Sequence, residues 1–225
     1  MYWILFIGIA VLSYIVQAAL QSKMNKASEV PIASGLTGRE VAAKMLNDYG
    51  IGGIAITSTP GQLTDHFDPT KKTVNLSETV YDKCSVAAAA VAAHECGHAV
   101  QHAKDYFPVK IRSALVPVVN FASKAVTCVL LAGMLLLKVF PQLMMIGIAL
   151  FALTTLFSFV TLPVEINASR RALAWMTSHG IVNEYNKDLA SSALRAAACT
   201  YVVAALSSLA TLIYYIAIFT GGSKR

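Results

Sequence analysis

Ser85-Val86-Ala87-Ala88-Ala89-Ala90-Val91-Ala92-Ala93-His94-Glu95-Cys96-Gly97-His98-Ala99-Val100-Gln101-His102-Ala103-Lys104 is dominated by alanine and contains no proline. Alanine has the highest intrinsic helix propensity, and glutamate and glutamine sustain it, so the run predicts one unbroken helix. Within it, His94 and His98 are four residues apart and lie on one helix face, about 5–6 Å from each other. Two imidazoles so placed can converge on one Zn²⁺. Glu95 is rotated off that face but stays beside a water held by the metal. As general base it would take the proton while that water attacks a peptide carbonyl. The plainer reading is two surface histidines on a solvated helix. Against it stands the rarity of H-E-x-x-H, which five His and six Glu in 225 residues would produce roughly 0.003 times per chain by chance.

A catalytic zinc site takes three protein ligands and keeps a fourth position open. His102 continues the i+4 series, yet it lies about 12 Å from His94 along a straight helix. The metzincin pattern places its third histidine six residues after the second, and Lys104 stands there, which excludes that class. Glu165 is the better candidate. It follows Pro163 at the end of an apolar block and reads as opening a helix, where a carboxylate is otherwise unusual. Its alternative reading is charge complementarity at a helix N-terminus. Asp65, His66 and Asp68 form a second source of ligands, or simply a hydrogen-bonded turn beside Pro69.

Hydrophobic residues make up 56% of the chain and charged ones 13%, too apolar for an ordinary solvated domain. Four blocks approach the roughly 20 apolar residues that a bilayer crossing needs: Tyr2 to Leu20, Ala125 to Phe140, Leu143 to Leu162 and Tyr201 to Thr220. The second is the shortest and has a core or re-entrant helix as its alternative. Pro141 leaves room only for a tight turn before the third, so these two read as a helical hairpin. The first lacks a basic leader and reads as a retained anchor, although Val16-Gln17-Ala18 loosely resembles a cleavage site. Net charge is +6. Lys23, Lys26, Lys110, Arg112, Lys124, Arg170 and Arg171 flank the blocks on one side, against Lys138, Lys224 and Arg225 on the other. The positive-inside rule then places the amino terminus outside and the H-E-x-x-H helix in the cytoplasm. No basic run with interleaved aromatics points to nucleic acid. The four cysteines have no C-x-x-C spacing, and reduced thiols agree with a cytoplasmic face.

Thr37-Gly38-Arg39-Glu40 reads as a capping box opening an amphipathic helix with Val41, Ala42, Met45 and Leu46 on one face, closed by Gly50. Ile51 to Thr57 and the alternating Lys72 to Ser77 predict a small sheet, the latter as its edge strand. Glu165 to His179 reads as a further helix, and Asn183 as the cap of one running into the last block.

Leu63-Thr64-Asp65-His66-Phe67-Asp68-Pro69, Val74-Asn75-Leu76-Ser77, Ala92-Ala93-His94-Glu95-Cys96-Gly97-His98-Ala99 and Glu165-Ile166-Asn167-Ala168-Ser169-Arg170-Arg171-Ala172 together resemble the YugP-like family of bacterial membrane neutral zinc metallopeptidases. The resemblance covers nearly the whole chain. The chain is more distantly similar to the HtpX group of membrane gluzincins, which place two spans between the H-E-x-x-H helix and a glutamate ligand. The resemblance implies His94, His98 and Glu165 as metal ligands, Glu95 as the catalytic residue, and one Zn²⁺ per chain. It also implies substrate backbone binding along an edge strand at Val74, Asn75, Leu76 and Ser77. The related groups carry an aspartate four residues after the ligand glutamate, whereas this chain has Ser169. For oxyanion stabilisation Tyr201, His179 and Arg170 are the candidates, Tyr201 first among them. Cys96 reads as a packing residue.

A transporter or channel is the first rival, but the apolar blocks hold no ionisable residue near their centres. A zinc-stapled membrane scaffold is the second, but a structural site is normally closed by four ligands. The expected fold is an α-rich α+β integral membrane protein, with a gluzincin-like metalloprotease domain and its small sheet docked on about four transmembrane helices. The expected organisation is an anchor at 1–22 and a cytoplasmic metalloprotease part at 23–124. A transmembrane hairpin at 125–162, a helical part with the third ligand at 163–200, and a last transmembrane helix and tail at 201–225 follow. Expected partners are a peptide or protein substrate, including membrane proteins, and the lipid of the bacterial cytoplasmic membrane.

Overall fold

The structure, a computed structural model, describes residues 2–222. Lys224 and Arg225, which enter the orientation argument, lie outside the described residues. In chain order the elements are α1 (Tyr2–Ser28), α2 (Gly38–Asp48), β1 (Ala55–Thr59), β2 (His66–Asp68), β3 (Thr73–Ser77), α3 (Glu78–Tyr81), α4 (Val86–Ala103), α5 (Phe107–Leu135), α6 (Pro141–Ser178) and α7 (Lys187–Gly222). The protein is therefore helix-rich with one small sheet. It divides into two compact units, one drawn from Met1–Tyr14, Lys110–Pro163 and Tyr201–Arg225, the other from Ile15–Val109 and Val164–Thr200.

The second unit is built around α4. Ser85 caps this helix, its hydroxyl accepting from the Ala88 amide at 3.2 Å. Its small side chains let neighbours approach closely, and Ala88, Ala89, Ala92, Ala93 and Cys96 are all buried. Against it packs α2, whose capping box is formed in full. Glu40 Oε2 accepts from the Thr37 amide at 2.8 Å, and the Thr37 hydroxyl accepts from the Glu40 amide at 3.3 Å. Val41, Ala42, Met45 and Leu46 are the buried face of α2, as their spacing predicts. Each fully buried large side chain here, such as Met45 or Leu76, contributes roughly 1.5–3 kcal/mol of transfer free energy.

The sheet order is β1-β3-β2. β3 pairs in parallel with β1 along its whole length and antiparallel with β2 from Thr73 to Asn75. This corrects the edge-strand expectation: Val74 to Ser77 belong to the central strand. From Thr73 to Asn75 its backbone is committed to two neighbours, and the Ser77 amide donates to Asp65 Oδ1 at 2.7 Å. Thr73 to Asn75 are therefore closed to backbone pairing with a substrate. The edges are β1 and β2.

A second correction concerns Glu165, which opens no helix. α6 continues from Pro141 to Ser178 with Pro163 inside it, because a proline removes only one backbone donor and a well-packed helix can continue past it. Asn183 likewise caps the turn before α7, not the helix itself. Its Oδ1 accepts from the amides of Tyr185 and Asn186, and the helix starts at Lys187.

Among the described residues, four helices are long and apolar enough to cross a membrane: those at 3–28, 107–135, 141–178 and 187–221. The apolar blocks read from the sequence fall within these helices, except that Ala125 to Phe140 runs past the end of α5. Glycines set the closest approach between α5 and α6. A Cβ on Gly133 would lie 2.7 Å from Met144 Cα, and one on Gly147 would lie 2.7 Å from Leu130 Cδ2. Any larger residue at either position would force the two helices apart or displace Leu130. The Thr155 and Ser208 hydroxyls, 2.7 Å apart, link α6 to α7.

Candidate metal centre

Along α4, His94, Gly97, His98 and Gln101 fall on one stripe at 3.6 residues per turn. Each meets a residue of α6. His94 Nδ1 lies 3.1 Å from Ser169 Oγ. A Cβ on Gly97 would lie 2.8 Å from the Ala168 carbonyl oxygen and 3.1 Å from its Cα. His98 Nε2 lies 3.6 Å from Glu165 Oε2, and Gln101 Nε2 donates to the Val164 carbonyl at 2.8 Å. Positions rise along α4 as they fall along α6, so these stretches run antiparallel with Gly97 at the point of closest approach.

The result is a cluster of three ligand atoms. His94 Nε2 lies 3.3 Å from Glu165 Oε2, the two imidazole rings stand edge to face at 4.8 Å, and all three donor atoms lie within 4.8 Å of one another. A tetrahedral zinc with bonds of about 2.0–2.2 Å sets its ligand atoms about 3.3–3.6 Å apart. The two imidazole-to-carboxylate distances match that spacing, and two nitrogens with one carboxylate oxygen are a donor set zinc accepts. The three residues fit the ion.

Electrostatics agree with the geometry. Burial disfavours a charged His98, but the Glu165 and Glu95 carboxylates outweigh it and hold the metal-free imidazole above the usual histidine range. The cation that these carboxylates favour is a proton when no metal is bound.

A family model described as "Putative neutral zinc metallopeptidase" matches residues 2–220. The chain belongs to this family. Over 220 residues, 97% of each chain, it is 41% identical to "Putative membrane protease YugP" of Bacillus subtilis (strain 168). No solved structure matches it significantly.

The structure places the family member's other candidate residues elsewhere. Among the described residues only His94, His98 and Glu165 form a metal-capable group. Asp65 is taken by Ser77, accepting from its amide at 2.7 Å and its hydroxyl at 3.0 Å. His66 stands between the Thr64 carbonyl and Asn75, and Asp68 accepts from the amides of Thr70 and Lys71, which is the turn reading. His102 packs beside Phe67 with ring centres 5.5 Å apart. His179 stacks on Trp175 and faces Asp48 at 3.5 Å. It lies fourteen residues past Glu165, about 21 Å along a helix, which removes it as an oxyanion donor. Arg170 is exposed. Burial, helped by the Glu95 charge, pushes the Cys96 thiol far up, and its sulfur faces the Ala42 carbonyl at 3.6 Å, so it packs and does not ligate.

Sequence reasoning assigned no part to Gly97 or Gln101, and it discounted Ser169. The serine stands where the related groups have aspartate, and its hydroxyl does reach His94. Gly97 carries a consequence of its own. Gly97→Ala gains up to about 1 kcal/mol of helix propensity, but the added methyl meets backbone, which cannot swing aside. Overpacking of this kind costs about 1–3 kcal/mol and pushes Glu165 away from the histidines. Both a lower thermal midpoint and weaker zinc binding are expected; an unchanged midpoint with unchanged affinity would refute the close-approach role.

Proposed function

We propose that this chain is a membrane-inserted zinc metallopeptidase with a gluzincin-like site, in which His94, His98 and Glu165 hold the metal and Glu95 is the general base. The observation that carries the reading is the convergence of both imidazole Nε2 atoms on Glu165 Oε2, beside a glutamate at the second position of H-E-x-x-H. Three ligands leave a fourth position open, the mark of a catalytic and not a structural zinc site. When bound, zinc supplies Lewis acidity and lowers the pKa of a coordinated water to about 7. Glu95, 8% exposed and one step off the ligand stripe, takes a proton from the attacking water and passes it to the departing amine.

Large apolar side chains on the long helices support membrane insertion: Trp3 is 80% exposed, Phe121 71% and Leu135 86%. Water-soluble monomers rarely expose contiguous patches of such residues. Flanking charge favours a metal centre on the cytoplasmic side of the bacterial inner membrane. A reporter enzyme fused after Arg225 is expected to be active outside; activity only in the cytoplasm contradicts this orientation. Glu165 stands three residues beyond the apolar block ending at Leu162, which favours peptide or protein substrates near the bilayer, membrane proteins included.

The deciding experiment measures zinc in the detergent-purified protein and follows cleavage of an unfolded casein-like substrate. One zinc per chain is expected, with cleavage abolished by a chelator and restored by zinc. A protein without zinc, or cleavage indifferent to the chelator, sinks the reading.

A further inference from the structure

Gln101 is fully buried on the ligand stripe of α4, one turn beyond His98, and its side chain has three hydrogen-bond partners. Its Oε1 lies 3.0 Å from His98 Nδ1. Its Nε2 donates to the Val164 carbonyl at 2.8 Å and to Asn167 Oδ1 at 3.0 Å. Asn167 Oδ1 in turn accepts from Arg171 Nε at 2.7 Å. The two ends of this chain allow one polarity only. A backbone carbonyl accepts and never donates, whereas a guanidinium donates and never accepts. Arg171 therefore fixes the oxygen of Asn167 toward itself. That oxygen and the Val164 carbonyl both require the amino group of Gln101, which turns the Gln101 oxygen toward His98. An amide oxygen accepts only, so His98 must carry a proton on Nδ1, which leaves Nε2 as the nitrogen available to a metal. His94 lacks this constraint, because the Ser169 hydroxyl at its Nδ1 can rotate to donate or accept.

We propose that Gln101 is a positioning residue that, held by Val164, Asn167 and Arg171, locks His98 into the tautomer and orientation in which Nε2 takes the metal. The proposal rests on the metallopeptidase reading and deepens it. Outer hydrogen-bond partners of metal-ligating histidines commonly change metal affinity by about 10–100-fold. Here an uncharged amide fills the role in which a carboxylate or backbone carbonyl often serves.

The test compares wild type, Gln101→Met and Asn167→Asp. Zinc affinity is measured by competition with a chromophoric chelator, the visible spectrum is recorded at saturating Co²⁺, and the metal-free forms are melted. Gln101→Met keeps the volume and removes the acceptor. It is expected to bind zinc about 10–100-fold more weakly with an altered cobalt spectrum. Asn167→Asp still accepts from Arg171 and Gln101, and is expected to bind within a few-fold of wild type. Should Gln101→Met fail to fold, the ring ¹⁵N signals of zinc-loaded wild type decide: a protonated Nδ1 with Nε2 on the metal at His98 is expected, and the reverse overturns the proposal. Wild-type affinity and spectrum in a folded Gln101→Met also overturn it. Absence of zinc binding by wild type is the separate failure of the metallopeptidase reading.

Discussion

Glu95→Gln is expected to retain one zinc per chain and to cleave an unfolded protein substrate about 10²–10⁴-fold more slowly than wild type, the usual worth of a positioned general base. In barrier terms that is about 2.7–5.4 kcal/mol. The substitution keeps the size of the side chain and its oxygen, and removes only the ability to take a proton. Zinc should stay, because Glu95 lies outside the group of three donor atoms, about 100° around α4 from His94. The measurement is metal content and turnover on one preparation. A rate within twofold of wild type would show that the proton goes elsewhere. Loss of the metal would make Glu95 a ligand.

Glu165→Ala is expected to fail earlier, at metal binding. It removes the one donor from α6 and leaves two histidines on a single helix, so affinity should fall by more than the roughly 100-fold upper range seen when outer partners of ligands are lost. The effect reads out without activity. A ligand that binds only the folded state stabilises it by about 4.1 kcal/mol at a thousand times its Kd, so added zinc should raise the wild-type melting temperature and leave that of Glu165→Ala unmoved. Equal zinc-dependent shifts in the two proteins would remove Glu165 from the site. The metal-free variant has a further signature. Without the Glu165 carboxylate, burial of His98 meets less opposition and its imidazole titrates lower than in wild type.

The H-E-x-x-H half of the candidate metal centre was legible in the sequence because it rests on a local rule, whereas Glu165 was one of two ligand sources and was singled out by the family resemblance. Alanine and the i,i+4 histidines specify a helix and its face, and Glu165 is a carboxylate with few other reasons to stand beside an apolar block. The capping box at Thr37 and the buried face of α2 follow from the same kind of rule. The sheet order did not. Alternation from Lys72 to Ser77 reports which residues face the core, and Val74 and Leu76 do, but a central strand with one polar face alternates just as an edge strand does. Thr57, Asn75 and His66 make that polar face, joined across all three strands by side-chain hydrogen bonds. Strand β2 was hidden for a related reason, since His66-Phe67-Asp68 has the composition of a turn. Pro163 misled in another way, because proline suits both the start of a helix and, at modest cost, its interior. Gly97 and Gln101 owe their importance to Ala168, Val164 and Asn167, more than sixty residues away in the chain, and no spacing rule reaches that far.

The two halves of the metal centre are separated by the 66 residues from 99 to 164, and these include all of α5 and the first part of α6. A nascent chain finished only to Leu135 carries both histidines and their glutamate but has no third ligand. The site therefore cannot exist until the intervening apolar helices have been synthesised. On the metallopeptidase reading, a chain that stops before Glu165 lacks the third ligand and is inert.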